Sequence, residues 1–497
     1  MTGNSHDHSV NVLDGGWLAL EIILLNKIPQ HGQIRAYSVI PEGQKLMDNP
    51  SSLPQIKPRL VRRLGLFDAT MIVMGGIIGS GIFMNPYVVA GQVNTPFLIL
   101  GVWALGGLIA LAAAFIWAEL AALRPEVGGQ YAYLREAFHP SVAFLYGWAL
   151  LLVIQTGGMA AVAVTFARYF VELTHVPFAD WTVAVLALAS LTVINCLGVR
   201  SGSTVQNVLM VLKIVAIIAL IVCGLLLIGP SSTPVATTPG LLGQPISFNL
   251  LTAVGGAMVP VLFAYGGWQT ASFVAGEIRE PGKNLPRGLI IGVTGVVILY
   301  LAVNFVCLSV LGTSGLAATR TPASDIMRMA LGEAGARMIA AGIAISTLGF
   351  LSQGMLTAPR VYFAMAADGL FFRRVGWLHP KSHVPIVAIA LQGFLAMIIA
   401  LSGRYEQILN YVVSVDFIFF GLTAMCIFVF RRRKENRESD AITRVPGHPF
   451  TTGLFVVICW LVVINTVYKY PENTIIGLVI LIAGIPAYFF WRGRKSV

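Results

Sequence analysis

The stretch GGIIGSGIF (residues 75–83) sets Gly79, Ser80 and Gly81 inside an apolar run, and FAYGGW (263–268) repeats the device with Gly266 and Gly267. Glycine is among the weakest helix formers, so both runs read as helices that fail in mid-course. A helix that fails in apolar surroundings turns its backbone into a ligand. The amides of Gly79, Ser80 and Gly81 would open a second half-helix, where the dipole favours an anion. The carbonyls of Ile77 and Ile78, ending the first half-helix, would face a cation, and those of Phe263, Ala264 and Gly266 would join them. The competing reading is close packing, since Gly75 and Gly79 have small-xxx-small spacing.

Two ionisable residues stand in equally apolar company: Lys213 in VQNVLMVLKIVAII and Asp416 in YVVSVDFIFFG. A charge at such depth is costly and is by default a functional hypothesis. Lys213 has the alternative of snorkelling to an interface. Asp416 could pair with a cation, donate a hydrogen bond while protonated, help select a ligand's side chain, or make a purely structural hydrogen bond.

The elements that must position these residues are membrane spans. Of 497 residues, 11% are charged and 56% hydrophobic, against roughly 25% charged in a soluble domain. Runs of about 20 apolar residues suffice to cross the hydrocarbon core. Twelve are read, at 67–90, 97–122, 142–172, 180–198, 203–228, 249–276, 288–312, 335–366, 384–402, 405–430, 452–470 and 473–491. The net charge of +11 reports topology. Most lysines and arginines flank the spans on one side, whereas loops of the other parity carry only Arg320, Arg328, Arg337, Arg404 and Lys469. This positive-inside pattern puts both termini in the cytoplasm and makes nucleic-acid binding improbable. The five cysteines all lie in apolar segments, with no disulfide framework or zinc spacing; no metal or cofactor is expected.

Residues 1–60 stand apart as a flexible cytosolic extension, and translation from Met47 is one reading of them. The broken spans 1 and 6 lie five spans apart. Glycine-interrupted helices at matching places in two halves point to an inverted-repeat transporter with its site near the midplane. Because five is odd, the second half enters from the opposite face. The expected architecture is therefore an all-α membrane protein of twelve helices in a five-plus-five inverted repeat: 61–228 forms the first repeat, 229–430 the second, and 431–497 a cytosolic loop with spans 11 and 12.

GGIIGSGIF, FAYGGW, EIREPGKNLPRG (277–288) and APRVYFAMAADGLFF (358–372) resemble the amino acid, polyamine and organocation transporter superfamily, and most of all the bacterial relatives of the L-type amino acid transporters. The resemblance spans about residues 60–490. It implies the leucine-transporter fold, a place in the bacterial cytoplasmic membrane, and a zwitterionic substrate whose carboxylate sits on the glycine-serine-glycine amides and whose amine meets the span 6 carbonyls. It makes Phe263 an outer gate, the alternative being a lipid-facing or core phenylalanine. Gln269 and Asp416 replace asparagines of the L-type set, and Gln269 is expected near the side-chain pocket, where Gly157 and Gly158 leave room, although helix packing explains these two glycines equally well. Lys213 is implied to occupy the place of a sodium ion beside the span 1 break and Ser346, so transport is expected to be sodium-independent. Proton coupling would further require this lysine to lose its proton during the cycle. Asp68, Glu119, Glu277, Arg360 and Asp368 are expected either in a cytoplasmic gate network or as solvated interfacial charge. The loop VELTHVPFAD lacks the cysteine through which animal L-type transporters attach a heavy subunit, so no disulfide-linked partner is expected.

The expected function is sodium-independent secondary transport of amino acids, neutral ones by default, through proton symport or exchange. Cationic amino acids or polyamines are the alternative that Asp416 leaves open. A membrane sensor that binds an amino acid without moving it is the reading from another class. An enzyme lacks any motif here, and a channel would need a continuous polar pore.

Overall fold

A computed structural model describes residues 62, 64–126, 128–197, 203–228, 247–380, 384–402, 404–433 and 443–494. The extension at 1–60, the start at Met47, and basic residues such as Arg200, Lys381, Lys434 and Arg437 lie outside the described residues.

Helices account for the fold, and among the described residues only Leu64 and Ile278 form a β-bridge. In a bilayer the backbone must satisfy its own polar groups, and a helix does so within one segment. In chain order they are α1 (Leu66–Ile77), α2 (Gly81–Gln92), α3 (Pro96–Leu123), α4 (Gln130–Ala137), α5 (Pro140–Ala149), α6 (Gln155–Thr174), α7 (Asp180–Cys196), α8 (Ser203–Cys223) and α9 (Phe248–Tyr265). The second half holds α10 (Thr270–Phe273), α11 (Pro281–Ala318), α12 (Pro322–Thr357), α13 (Pro359–Ala367), α14 (Ile386–Ala400), α15 (Tyr405–Arg432), α16 (Phe450–Lys469) and α17 (Pro471–Arg494). Some starts are written locally: the Thr95 hydroxyl accepts from the Leu98 amide at 3.2 Å ahead of Pro96, and Ser247 caps Leu250 at 3.2 Å.

Among the described residues ten helical segments are long and apolar enough to cross a membrane, with α1 and α2 counting as one. The expected spans 4 and 9 are the two shorter apolar helices, α7 and α14, of 17 and 15 residues.

Both anticipated failures of the helix occur. The first lies at Ile78–Ser80, between α1 and α2, so Gly81 already belongs to the second half-helix. The second lies at Gly266–Gln269, where Gly266 is extended (φ −62°, ψ 157°) and Gly267 has φ +115°. The two broken helices are tied again at one end: the Leu64 amide donates to the Glu277 carbonyl at 3.0 Å and the Arg279 amide to the Leu64 carbonyl at 2.8 Å. Around them pack α11, α3 and α15, with Trp103, Tyr265 and Tyr300 in mutual ring contact at 5.1–5.9 Å.

Candidate functional site

The two breaks face each other across one cavity. Its wall includes Ile77, Gly79, Ser80 and Gly81 from the first break and Phe263, Gly266, Gly267 and Gln269 from the second. Opposite them stand Gln155 and Gly158 of α6, Phe350 and Gln353 of α12, and Val412, Asp416 and Phe417 of α15. The volume is about 80 Å³, room for a few waters or one small solute rather than a continuous file.

The backbone chemistry is more specific than the glycines alone imply. The Gly79 amide is spent locally, donating to the Ile77 carbonyl at 2.8 Å. The amides that open α2 are those of Ser80, Gly81 and Ile82, and a helix offers its first amides no acceptor of its own. The Ile78 carbonyl is engaged by Lys213, whose Nζ donates to it at 3.1 Å. The Tyr300 hydroxyl lies 3.2 Å from the Ile77 carbonyl and 3.3 Å from that of Ala264, and so links the two breaks. The Phe263 carbonyl accepts from the Gly266 amide at 3.2 Å. A carbonyl has two lone pairs, so these contacts orient the oxygens and leave capacity for a ligand.

Gln269 serves the break itself. Its Oε1 accepts from the Gly267 amide at 3.0 Å, and the Thr270 hydroxyl donates to the Gly267 carbonyl at 2.8 Å. Glycine is required at two of these places. A β-carbon on Gly81 would lie 2.5 Å from the Ala264 Cα, and one on Gly267 would lie 2.0 Å from the Gly76 carbonyl oxygen, in a backbone conformation that L side chains rarely adopt. The alternatives of unwinding and close packing are therefore both realised, by neighbouring glycines.

Four expected residues, Ile78, Ala264, Lys213 and Ser346, stand behind the lining rather than in it. Lys213 is buried. The Ser346 hydroxyl is buried and has no hydrogen-bond partner among the described residues. Of the paired glycines in α6, Gly158 has open space beside it, whereas a β-carbon on Gly157 would lie 2.5 Å from Val412. Phe263 is partly exposed and meets Tyr405 edge-on at 6.3 Å.

Sequence reasoning passed over Gln155, Phe350, Gln353 and Thr357 in the lining. Gln353 Nε2 donates to the Ile72 carbonyl at 2.9 Å, which steadies α1 just before it ends. The two glutamines were visible as amides in apolar runs, VIQTGG and LSQGML, a weak signal.

The charged residues expected in one network form separate pairs. Glu119 receives both arms of Arg431 at 2.6 Å and the Val445 amide at 2.7 Å. Asp368 holds Arg135 at 2.7 Å and the Tyr131 hydroxyl at 2.8 Å. Glu277 meets Arg360 at 3.4 Å, while Asp68 caps α1 through the Gly65 amide at 2.8 Å and accepts from Asn207 at 2.7 Å.

A sequence profile described as "Amino acid permease" matches residues 64–486. The serine/threonine exchanger SteT of Bacillus subtilis is 30% identical over 450 residues, covering 88% of this chain and 98% of its own. The mouse large neutral amino acids transporter small subunit 2 is 28% identical over 454 residues, 88% of this chain and 83% of its own. The human b(0,+)-type amino acid transporter 1 is 28% identical over 403 residues, 80% and 82% of the two chains. With its apolar helices, paired breaks and a match over most of its length, this multi-span membrane chain belongs to the amino acid permease family of the amino acid, polyamine and organocation superfamily.

Proposed function

We propose that this permease carries amino acids across the cytoplasmic membrane by alternating access, without sodium, through exchange or proton symport. One observation carries the reading: the two helix breaks face a single cavity and are joined by the Tyr300 hydroxyl. A zwitterion matches that site, its carboxylate at the Ser80, Gly81 and Ile82 amides and its ammonium toward the carbonyl side. The Lys213 amine donates to the Ile78 carbonyl at 3.1 Å, and an amine held beside the first break supports sodium independence. Exchange draws on the likeness to the serine/threonine exchanger of Bacillus subtilis.

The five-plus-five inverted repeat, with 61–228 and 229–430 as halves and 431–497 appended, is supported by two correspondences. Broken span 1 matches broken span 6, and the short helix α7 matches the short helix α14, each five places on. The proposed topology is twelve spans with both termini cytoplasmic, resting on the charge asymmetry of the loops.

Neutral substrates are the primary reading. One observation favours the alternative of cationic amino acids or amines: Asp416 lines the cavity, and among the described residues no lysine or arginine lines it with Asp416. Purified protein in liposomes tests these readings together. Labelled serine, leucine and lysine are offered with and without internal amino acid, in sodium or choline buffer. Saturable uptake of a neutral amino acid, unchanged in choline, is expected. Saturable binding with negligible flux would assign a sensor instead.

A further inference from the structure

At the arginine-rich end of α15, three consecutive arginines have different fates. Arg431 forks onto Glu119 at 2.6 Å and Arg433 reaches Glu136 at 2.7 Å. Arg432 is exposed and makes no ion pair among the described residues. It lines an apolar groove with Phe138, Met425, Phe428, Gly453 and Val456. A second lobe, also bounded by Phe428 and Gly453, runs along Phe450 and Leu454 of α16, which are 85% and 61% exposed. Gly453 leaves a notch, because a β-carbon there would meet nothing within 4 Å.

We propose that this groove is a binding site for an anionic phospholipid, with an acyl chain laid between α15 and α16 and the phosphate on Arg432. The bilayer already covers the exposed apolar wall, so the open question is which lipid settles there. A guanidinium binds phosphate oxygens through two parallel N–H donors. Arginines at a helix end near the cytoplasmic leaflet favour anionic headgroups by about 1 kcal/mol each, or roughly fivefold. The groove and the cavity share no lining residue, so the proposal does not rest on the transport reading.

Native mass spectrometry of the full chain, purified from mixed micelles of phosphatidylglycerol and phosphatidylcholine, provides the test. Wild type should retain phosphatidylglycerol about fivefold over phosphatidylcholine. Arg432→Gln should remove that preference, and Gly453→Phe, which fills the notch, should lower retention of both lipids. Melting temperature and uptake in both variants should stay near wild type, which shows that each is folded. Equal retention of the two lipids by wild type, or an unchanged preference in Arg432→Gln, overturns the proposal. So does a dimer that Gly453→Phe dissociates while lipid retention is unchanged, since the groove would then belong to a second copy of the chain.

Discussion

Gly267 and Gly76 meet backbone to backbone, with space for a β-carbon on neither: one on Gly267 would lie 2.0 Å from the Gly76 carbonyl oxygen, and one on Gly76 would lie 2.7 Å from the Gly267 carbonyl oxygen. Gly267→Ala is expected to abolish uptake and lower the melting temperature, since the φ of +115° alone costs on the order of 1–3 kcal/mol in a non-glycine residue. Gly158→Ala, at an open part of the cavity wall, should leave melting unchanged and raise KM most for bulky amino acids. Size-exclusion profiles, melts and uptake on both variants check the contrast. Gly81→Leu cannot make the same distinction, because its collision with Ala264 would disable the protein whether or not the Gly81 amide binds substrate.

Lys213 donates to the Ile78 carbonyl within a buried environment. Lys213→Met should reduce uptake at least about tenfold, a loss equivalent to roughly 1.4 kcal/mol, while the protein still inserts and purifies. Wild-type uptake should be the same in sodium and choline. A sodium requirement in the wild type would refute the assignment of this lysine as the substitute for a sodium ion.

Asp416→Asn tests substrate choice. Neutral amino acid uptake is expected to keep its KM within about threefold, a change of roughly 0.6 kcal/mol, while any competition that lysine or a diamine exerts on the wild type disappears. Competition assays against labelled serine in the two proteins read this directly.

Glu119 is almost wholly buried and receives Arg431 through Nε and Nη2. Removing one partner of such a pair strands the other. Glu119→Ala and Arg431→Ala should each destabilise, with a coupling on the order of 2 kcal/mol, below the range for a fully buried pair because Arg431 is 29% exposed. A double-mutant cycle of melts gives the coupling, and a value near zero would make the contact incidental.

Long apolar runs made the long helices legible, and the glycine clusters located both breaks to within a residue or two. The use of each backbone group was not legible. That the Gly79 amide turns back onto Ile77, while Lys213 takes the Ile78 carbonyl, depends on dihedral angles and on a helix over 130 residues away. Gln353 was hidden for a related reason: its acceptor, Ile72, is 281 residues distant, and one amide in an apolar run carries no address. Spacing likewise offered no way to tell Gly157 from Gly158, since only the neighbouring Val412 makes one a packing position and the other a piece of cavity wall. The partition of the charged residues into separate pairs required the tertiary arrangement.

The two shorter apolar helices pack side by side, close enough that a β-carbon on Gly393 of α14 would lie 2.1 Å from the Thr192 hydroxyl of α7. At 1.5 Å per residue, helices of 17 and 15 residues reach about 25 and 22 Å, short of a hydrocarbon core of about 30 Å. If both helices cross the membrane as proposed, the deficits are adjacent and neighbouring lipids would shorten together along one flank of the protein. Crossing there as proposed, the pair would dimple the bilayer, and turnover should respond to acyl-chain length: faster in thin bilayers, and slowed in thick ones where the mismatch costs more.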